Sequence, residues 1–200
     1  TCLYPAPRRL MVMAVTTFFN LISAVMVGVG VSIVYFLFQA SRSAVRRVYD
    51  ADKIMSKKIR SFQVMSLLAA EKSKIKIVEL EGPLFFGSTD KIVSTLDELG
   101  AQGGDYFIFD MKRVTRIDTT AAQAIEKNVT ILKSRGKELV LSYLEPGSEE
   151  WDVVHDVGLV TTVGRDRCFP DTSLAIEYFE DKLLDAMKRD HRLPEDDSFD

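Results

Sequence analysis

Sulfur and imidazole are scarce in this 200-residue chain, and their scarcity removes whole classes of chemistry. The only cysteines are Cys2 and Cys168. They flank a long apolar segment, and a membrane there would keep them apart. We read both as free, with no disulfide framework and no cysteine metal site. The only histidines, His155 and His191, have no metal-ligand spacing to a cysteine. No metal and no cofactor is therefore expected. Neither sign of charge dominates, since 26 Lys and Arg stand against 29 Asp and Glu, so electrostatics lend no support to a nucleic-acid partner. The chain also lacks a Ser/His/Asp order, a paired-acid spacing and a phosphate-binding glycine loop, and an enzyme is not expected.

Charge is absent altogether from Leu10 to Phe38. A helix needs roughly 20 apolar residues to cross the hydrocarbon core, so this stretch is long enough. A signal peptide would have a shorter apolar region and a small-residue cleavage site. The reading is one transmembrane helix over residues 10–39, with residues 1–9 as the end of a preceding loop. Arg8 and Arg9 precede it, whereas Arg42, Arg46, Arg47, Lys53, Lys57, Lys58 and Arg60 follow it. The larger basic excess stays in the cytoplasm, which makes the carboxy-terminal part cytosolic. Asn20, Gly28 and Gly30 lie within the span, and polar and small residues mark faces that pack on other helices. The bland alternative is that such residues are merely tolerated. The chain begins at Thr1 rather than Met, and we expect a fragment of a longer, multi-pass protein.

Glycine and proline are missing from residues 40–73, a basic juxtamembrane linker expected to leave the membrane as helix and continue partly ordered. Its cations either touch anionic headgroups or only enforce topology. From residue 74 to 189 strands and helices alternate. Strands are expected at Ile75–Leu80, Leu84–Phe86, Tyr106–Asp110, Glu138–Ser142 and Leu159–Thr161. Helices are expected from Ser88 or Thr89 to Leu99, Thr119 to Ser134, Pro146 to Asp156, and from an Asp171 cap to Arg189. The pattern predicts an α/β domain with a largely parallel sheet of four to five strands and flanking helices. Residues 190–200 form an acidic tail. Sites in such sheets favour the carboxyl ends of the strands, which directs attention to the loop after Asp110.

Two segments carry a resemblance. Leu80-Glu-Gly-Pro-Leu-Phe-Phe-Gly87, followed by Phe109-Asp-Met-Lys-Arg-Val-Thr-Arg-Ile-Asp-Thr-Thr-Ala121, resembles the STAS domain of SulP anion transporters. The similarity runs from about Ile75 to Leu184, and the segment around Thr17 to Val25 looks like the final transmembrane helix of those transporters. Asn20 departs from the acid expected there in many relatives. The resemblance implies secondary transport of a sulphate-type anion, a dimeric parent, and cytosolic regulatory partners. The transport site would lie in membrane helices outside this chain.

Asp118, Thr119 and Thr120 open a helix, where Asp and Thr can accept hydrogen bonds from free backbone N–H groups. In anti-sigma-factor antagonists of this fold the second hydroxyl residue is phosphorylated, and that position matches Thr120. Simple capping is the favoured reading, because Ala121 stands where those antagonists usually have Gly. Gly82 and Gly87 flank Phe85 and Phe86. This turn either meets the membrane core or, as favoured here, buries its two rings.

Overall fold

A computed structural model describes Met13 and residues 21–40, 44–53 and 62–189. Asn20, the amino-terminal loop, most of the expected span before Leu21, and the acidic tail lie outside the described residues. The chain divides into two compact units, residues 1–42 and 43–200.

In the first unit, helix α1 (Leu21–Ala40) contains no acidic or basic residue. Large side chains on it are exposed, among them Ile22, Met26, Val29 and Ile33. Gly30 has open space where a Cβ would stand, and Gly28 is half-buried. Among the described residues taken alone, no helix is long and apolar enough to cross a membrane. The expected span thus rests on the sequence of residues 10–39 as a whole.

The second unit is a five-stranded sheet in the order of the chain. Its elements are β1 (Val45–Asp50), α2 (Phe62–Glu71), β2 (Ile75–Leu84), α3 (Phe86–Ala101), β3 (Tyr106–Ile117), α4 (Thr119–Ser134), β4 (Glu138–Ser142), α5 (Glu149–Asp156), α6 (Leu159–Val163), β5 (Cys168–Phe169) and α7 (Thr172–Arg189). Strands β2 to β5 are parallel, and β1 joins β2 antiparallel. The helical crossovers between parallel strands cover one face and α2 and α7 cover the other, so the central strands are apolar on both. Alternation sorts the side chains. Phe107, Phe109, Leu139 and Leu141 pack under α3 to α6, while Ile108 and Val140 face Ala175, Ile176 and Phe179 of α7.

Four expectations need correction. Leu84–Phe86 is not a separate strand: β2 runs unbroken to Leu84, and Phe86 already starts α3. Neither Ser88 nor Thr89 is the cap. Phe85 is, and Ser88 reaches back from the first turn, its Oγ accepting from Phe85 N at 3.0 Å. Leu159–Thr161 is helical, and the last strand is Cys168–Phe169. Short apolar runs cannot be told apart by periodicity, and here Leu159, Val160 and Val163 bury at helical spacing. Finally, the stretch read as linker contains β1, whose Tyr49 and Asp50 pair with Ile77 and Lys76 of β2.

Strand β3 also outruns its expected end at Asp110. After irregularities between Glu79 and Glu81 and between Gly82 and Pro83, β2 and β3 re-pair, down to Leu84 opposite Ile117. Gly82, at φ 76°, supplies the left-handed conformation in this irregular stretch.

Candidate functional site

The parallel pairing of β2 and β3 brings the two sequence motifs side by side. Leu84 faces Ile117, and Asp118 N donates to the Leu84 carbonyl at 3.0 Å. One chain end then turns into α3 through Phe85, the other into α4 through Asp118. Asp118 has extended backbone and accepts a 2.6 Å bond from Ala121 N, so it is the N-cap. Ala121 is fully buried, which fixes the helix start against the core. Thr119 and Thr120 are exposed.

The two aromatic rings of the turn part company. Phe85 is half-buried, whereas Phe86 is 62% exposed. The expectation that both fill the core therefore fails for Phe86, which sits at the first position of a helix whose buried face begins at Ser88 and Thr89. A Cβ on Gly87 would stand 2.9 Å from the Phe85 ring, so glycine lets that ring lie close to the helix backbone. Phe86, Thr119 and Thr120 thus form one exposed corner at the carboxyl ends of β2 and β3, where sheets of this kind place their binding loops.

Asp110 does not belong to that corner. It is buried in mid-strand, one oxygen accepting from Lys112 N at 3.0 Å and the other from Thr172 Oγ1 at 2.9 Å. Thr172 has one hydroxyl proton and gives it to Asp110. Ser142 Oγ lies 3.0 Å from Thr172 Oγ1 and 3.3 Å from the Phe109 carbonyl, so its one proton is shared between these two acceptors. This chain of three side chains ties β3, β4 and the start of α7 together.

Beside it opens a crevice of about 190 Å³ whose walls include Tyr49, Glu79, Lys112, Arg113, Tyr143 and Ser173. Burial, and then the Glu79 and Asp110 carboxylates, push the Tyr49 phenol up to about 12. Tyr143 has a left-handed backbone at φ 59°, a conformation uncommon for a residue with a side chain. The Lys112 ammonium lies 5.0 Å from its ring centroid. Of the residues around this crevice, only Asp110 stands out in the sequence. Their separation along the chain leaves no local signal; only the tendency of parallel sheets to bind at strand ends pointed this way.

The remaining candidates are bland. His155 stacks near Trp151 and contacts Arg165 at 3.0 Å on the surface. Cys168 is half-buried, and burial followed by Asp166 pushes its thiol up to about 11. Among the described residues no cluster of His, Cys, Asp or Glu could hold a metal ion.

A family model described as the STAS domain matches residues 66–173. The chain is 27% identical to a putative sulfate transporter, YvdB, of Bacillus subtilis, over 78% of this chain and 27% of that protein. It is also 30% identical to Glutaminase 1 of Bradyrhizobium diazoefficiens, over 72% of this chain and 23% of that one. The chain thus spans about a quarter of the length of these curated relatives. Among solved structures, a sulfate transporter family protein from Wolinella succinogenes matches with 26% identity and a TM-score of 0.50, covering 68% of this chain and 99% of the other. The murine Solute Carrier 26 family member A9 anion transporter, in its inward-facing state, shares the fold with 20% identity and a TM-score of 0.64, covering 88% of this chain and 28% of the transporter.

Proposed function

This chain belongs to the STAS domain family, and from that premise we propose that it is the cytosolic regulatory end of a SulP-type secondary anion transporter together with the last membrane helix. The supporting observation is a juxtaposition: a charge-free helix, α1, precedes a STAS unit in a chain that resembles a putative sulfate transporter over 78% of its own length. The charge-free stretch from Leu10 to Phe38 exceeds the roughly 20 residues that cross about 30 Å of hydrocarbon. Exposed Ile22, Met26 and Ile33 on α1 suit lipid or neighbouring helices better than water. The basic excess after the helix keeps the STAS unit in the cytosol.

In this reading the rest of the transporter is the first partner, and a second copy of the whole is the next. Substrate translocation belongs to the other membrane helices. The role of this unit is contact and regulation, not catalysis. The glutaminase similarity is compatible with this view, since the shared region is 23% of that protein.

The test is the size of the native polypeptide, read by immunoblot of membranes with an antibody against residues 75–190. A band near three times the 22.5 kDa of this chain is expected, because the 144 and 156 matched residues make up 23% and 27% of the two relatives. A band at 22.5 kDa would favour the alternative, a single-pass STAS signalling protein controlled by phosphorylation at Thr120. The exposure of Thr119 and Thr120 beside Phe86 is what keeps that alternative open. A phosphate there would add about −1.5 to −2 charges to the corner. Thr120→Glu should then alter partner binding more than Thr119→Ala does.

A further inference from the structure

We propose that the crevice walled by Lys112, Arg113, Tyr143 and Ser173 binds a small anion, an inorganic oxyanion or a short carboxylate. The site shares no residue with the Asp118–Thr120 corner and does not depend on the chain being part of a transporter.

Charge is used unequally at this crevice. The acids at this crevice are already engaged. Both oxygens of Asp110 accept hydrogen bonds, from Lys112 N and Thr172 Oγ1. Glu79 lies 3.5 Å from the Arg46 guanidinium and is hydrogen-bonded to the side chain of Tyr49. The cations are not engaged in that way. Among the described residues no carboxylate forms an ion pair with Lys112 or Arg113, and Lys112 instead rests over the Tyr143 ring. Arg46 is shared between Glu79 and Glu81, and the four charged residues of the lining balance. The distinction at the crevice is that its acids have cation or hydrogen-bond partners, while its two cations have no carboxylate partner among the described residues. Exposed cations side by side in sequence on one wall of a concave site favour an anion between them.

Position reinforces charge. Helix α7 begins at the crevice, with Thr172 and Ser173 as its first residues. Asp171 accepts from Leu174 N at 2.8 Å, which satisfies the third amide of the first turn. The amides of Thr172 and Ser173 have no acceptor within the helix, and a helix start favours negative charge. The crevice also lies beyond the carboxyl end of β4, where open parallel sheets bind ligands. Finally, Tyr143 has a left-handed backbone, and its N–H donates to the Phe169 carbonyl at 2.9 Å. That strained residue separates this cavity from a second one of about 250 Å³ that also has Lys112 in its wall. Strain of this kind collects where a side chain must be aimed, and here it aims an aromatic ring at the cation.

The experiment is isothermal titration of the full chain in detergent with sodium sulfate, sodium phosphate or disodium malonate, each against sodium chloride at matched ionic strength. Saturable one-site binding is expected for at least one of the three. It should weaken about tenfold or more in Lys112→Ala and in Arg113→Ala, as loss of a charged hydrogen bond implies. Arg135→Ala, which removes a surface cation paired with Asp97, should leave it unchanged. Both crevice cations are exposed, so circular dichroism should show the variants folded. Binding of sulfate and phosphate without malonate would identify an inorganic oxyanion, and the reverse a carboxylate. Absence of saturable heat with all three, or equal binding by the Lys112 and Arg113 variants, would overturn the proposal while leaving the transporter reading untouched.

Discussion

Asp118 has a task that one substitution removes. Its carboxylate accepts from Ala121 N, and Asp118→Ala should cost about 1 kcal/mol of unfolding free energy in urea, with Asp118→Asn recovering most of it. Gly104 is under a stricter constraint. A Cβ there would stand 2.9 Å from the Leu99 carbonyl oxygen, a backbone atom that cannot swing aside. Gly104→Ala should destabilise by about 1–3 kcal/mol, more than Gly87→Ala, where the obstacle is the Phe85 ring. Tyr49 gives a pH signature. Its phenol is raised from 10.0 to about 12, so the folded state favours the neutral form. The stability it contributes is fully present below pH 10 and is lost as pH rises through about 12. Tyr49→Phe should therefore flatten the alkaline fall in stability within that window; superimposable profiles would remove Tyr49 from the account.

At the scale of elements, α7 is fastened to its surroundings by both apolar and charged contacts. Ala175, Ile176 and Phe179 cover one face of the sheet. Alongside them the Lys72 ammonium lies 2.6 Å from Glu180 Oε1, an ion pair rather than a directed hydrogen bond, with Glu180 fully buried. Removing one partner of a buried pair costs more than removing both. Lys72→Ala is expected to destabilise by about 3 kcal/mol, and the double variant Lys72→Met with Glu180→Leu by less. Equal losses in a denaturation series would show that burial of Glu180 does not depend on Lys72. Strand β1 is the other informative element. No alternation announces it, since Arg46 and Arg47 are consecutive cations, and it forms because β2 offers an open edge. Arg46 then pairs with Glu79 and Glu81 across that edge.

For the molecule, the boundary of the folding unit follows from β1 and α2. The family match begins at residue 66, and the sequence reading began the domain at 74, yet Ala44, Ala51 and Leu68 are all buried in the cores of the unit. A fragment spanning residues 43–189 should melt cooperatively. One spanning 74–189 should melt lower and less sharply, because the edge of β2 and one side of the α7 core would be uncovered. Identical melting curves would show that β1 and α2 are accessory.

The sequence by itself determined the α/β class, the parallel central strands, a capped helix start at Asp118 or Thr119 and the family, because each is written locally: short apolar runs alternating with helical periods, a capping side chain before a helix, and a motif within a few residues; the structure chose Asp118. It misassigned residues 159–161 and the linker, where short runs satisfy more than one period or none. Tertiary structure alone decided that Phe86 is exposed while Phe85 is half-buried, and that Asp110 joins Ser142 and Thr172 rather than an open loop. It alone set Lys112, Arg113 and Tyr143 around one crevice. These outcomes depend on register between strands and on the seat of α7, and neither is encoded at a distance of a few residues.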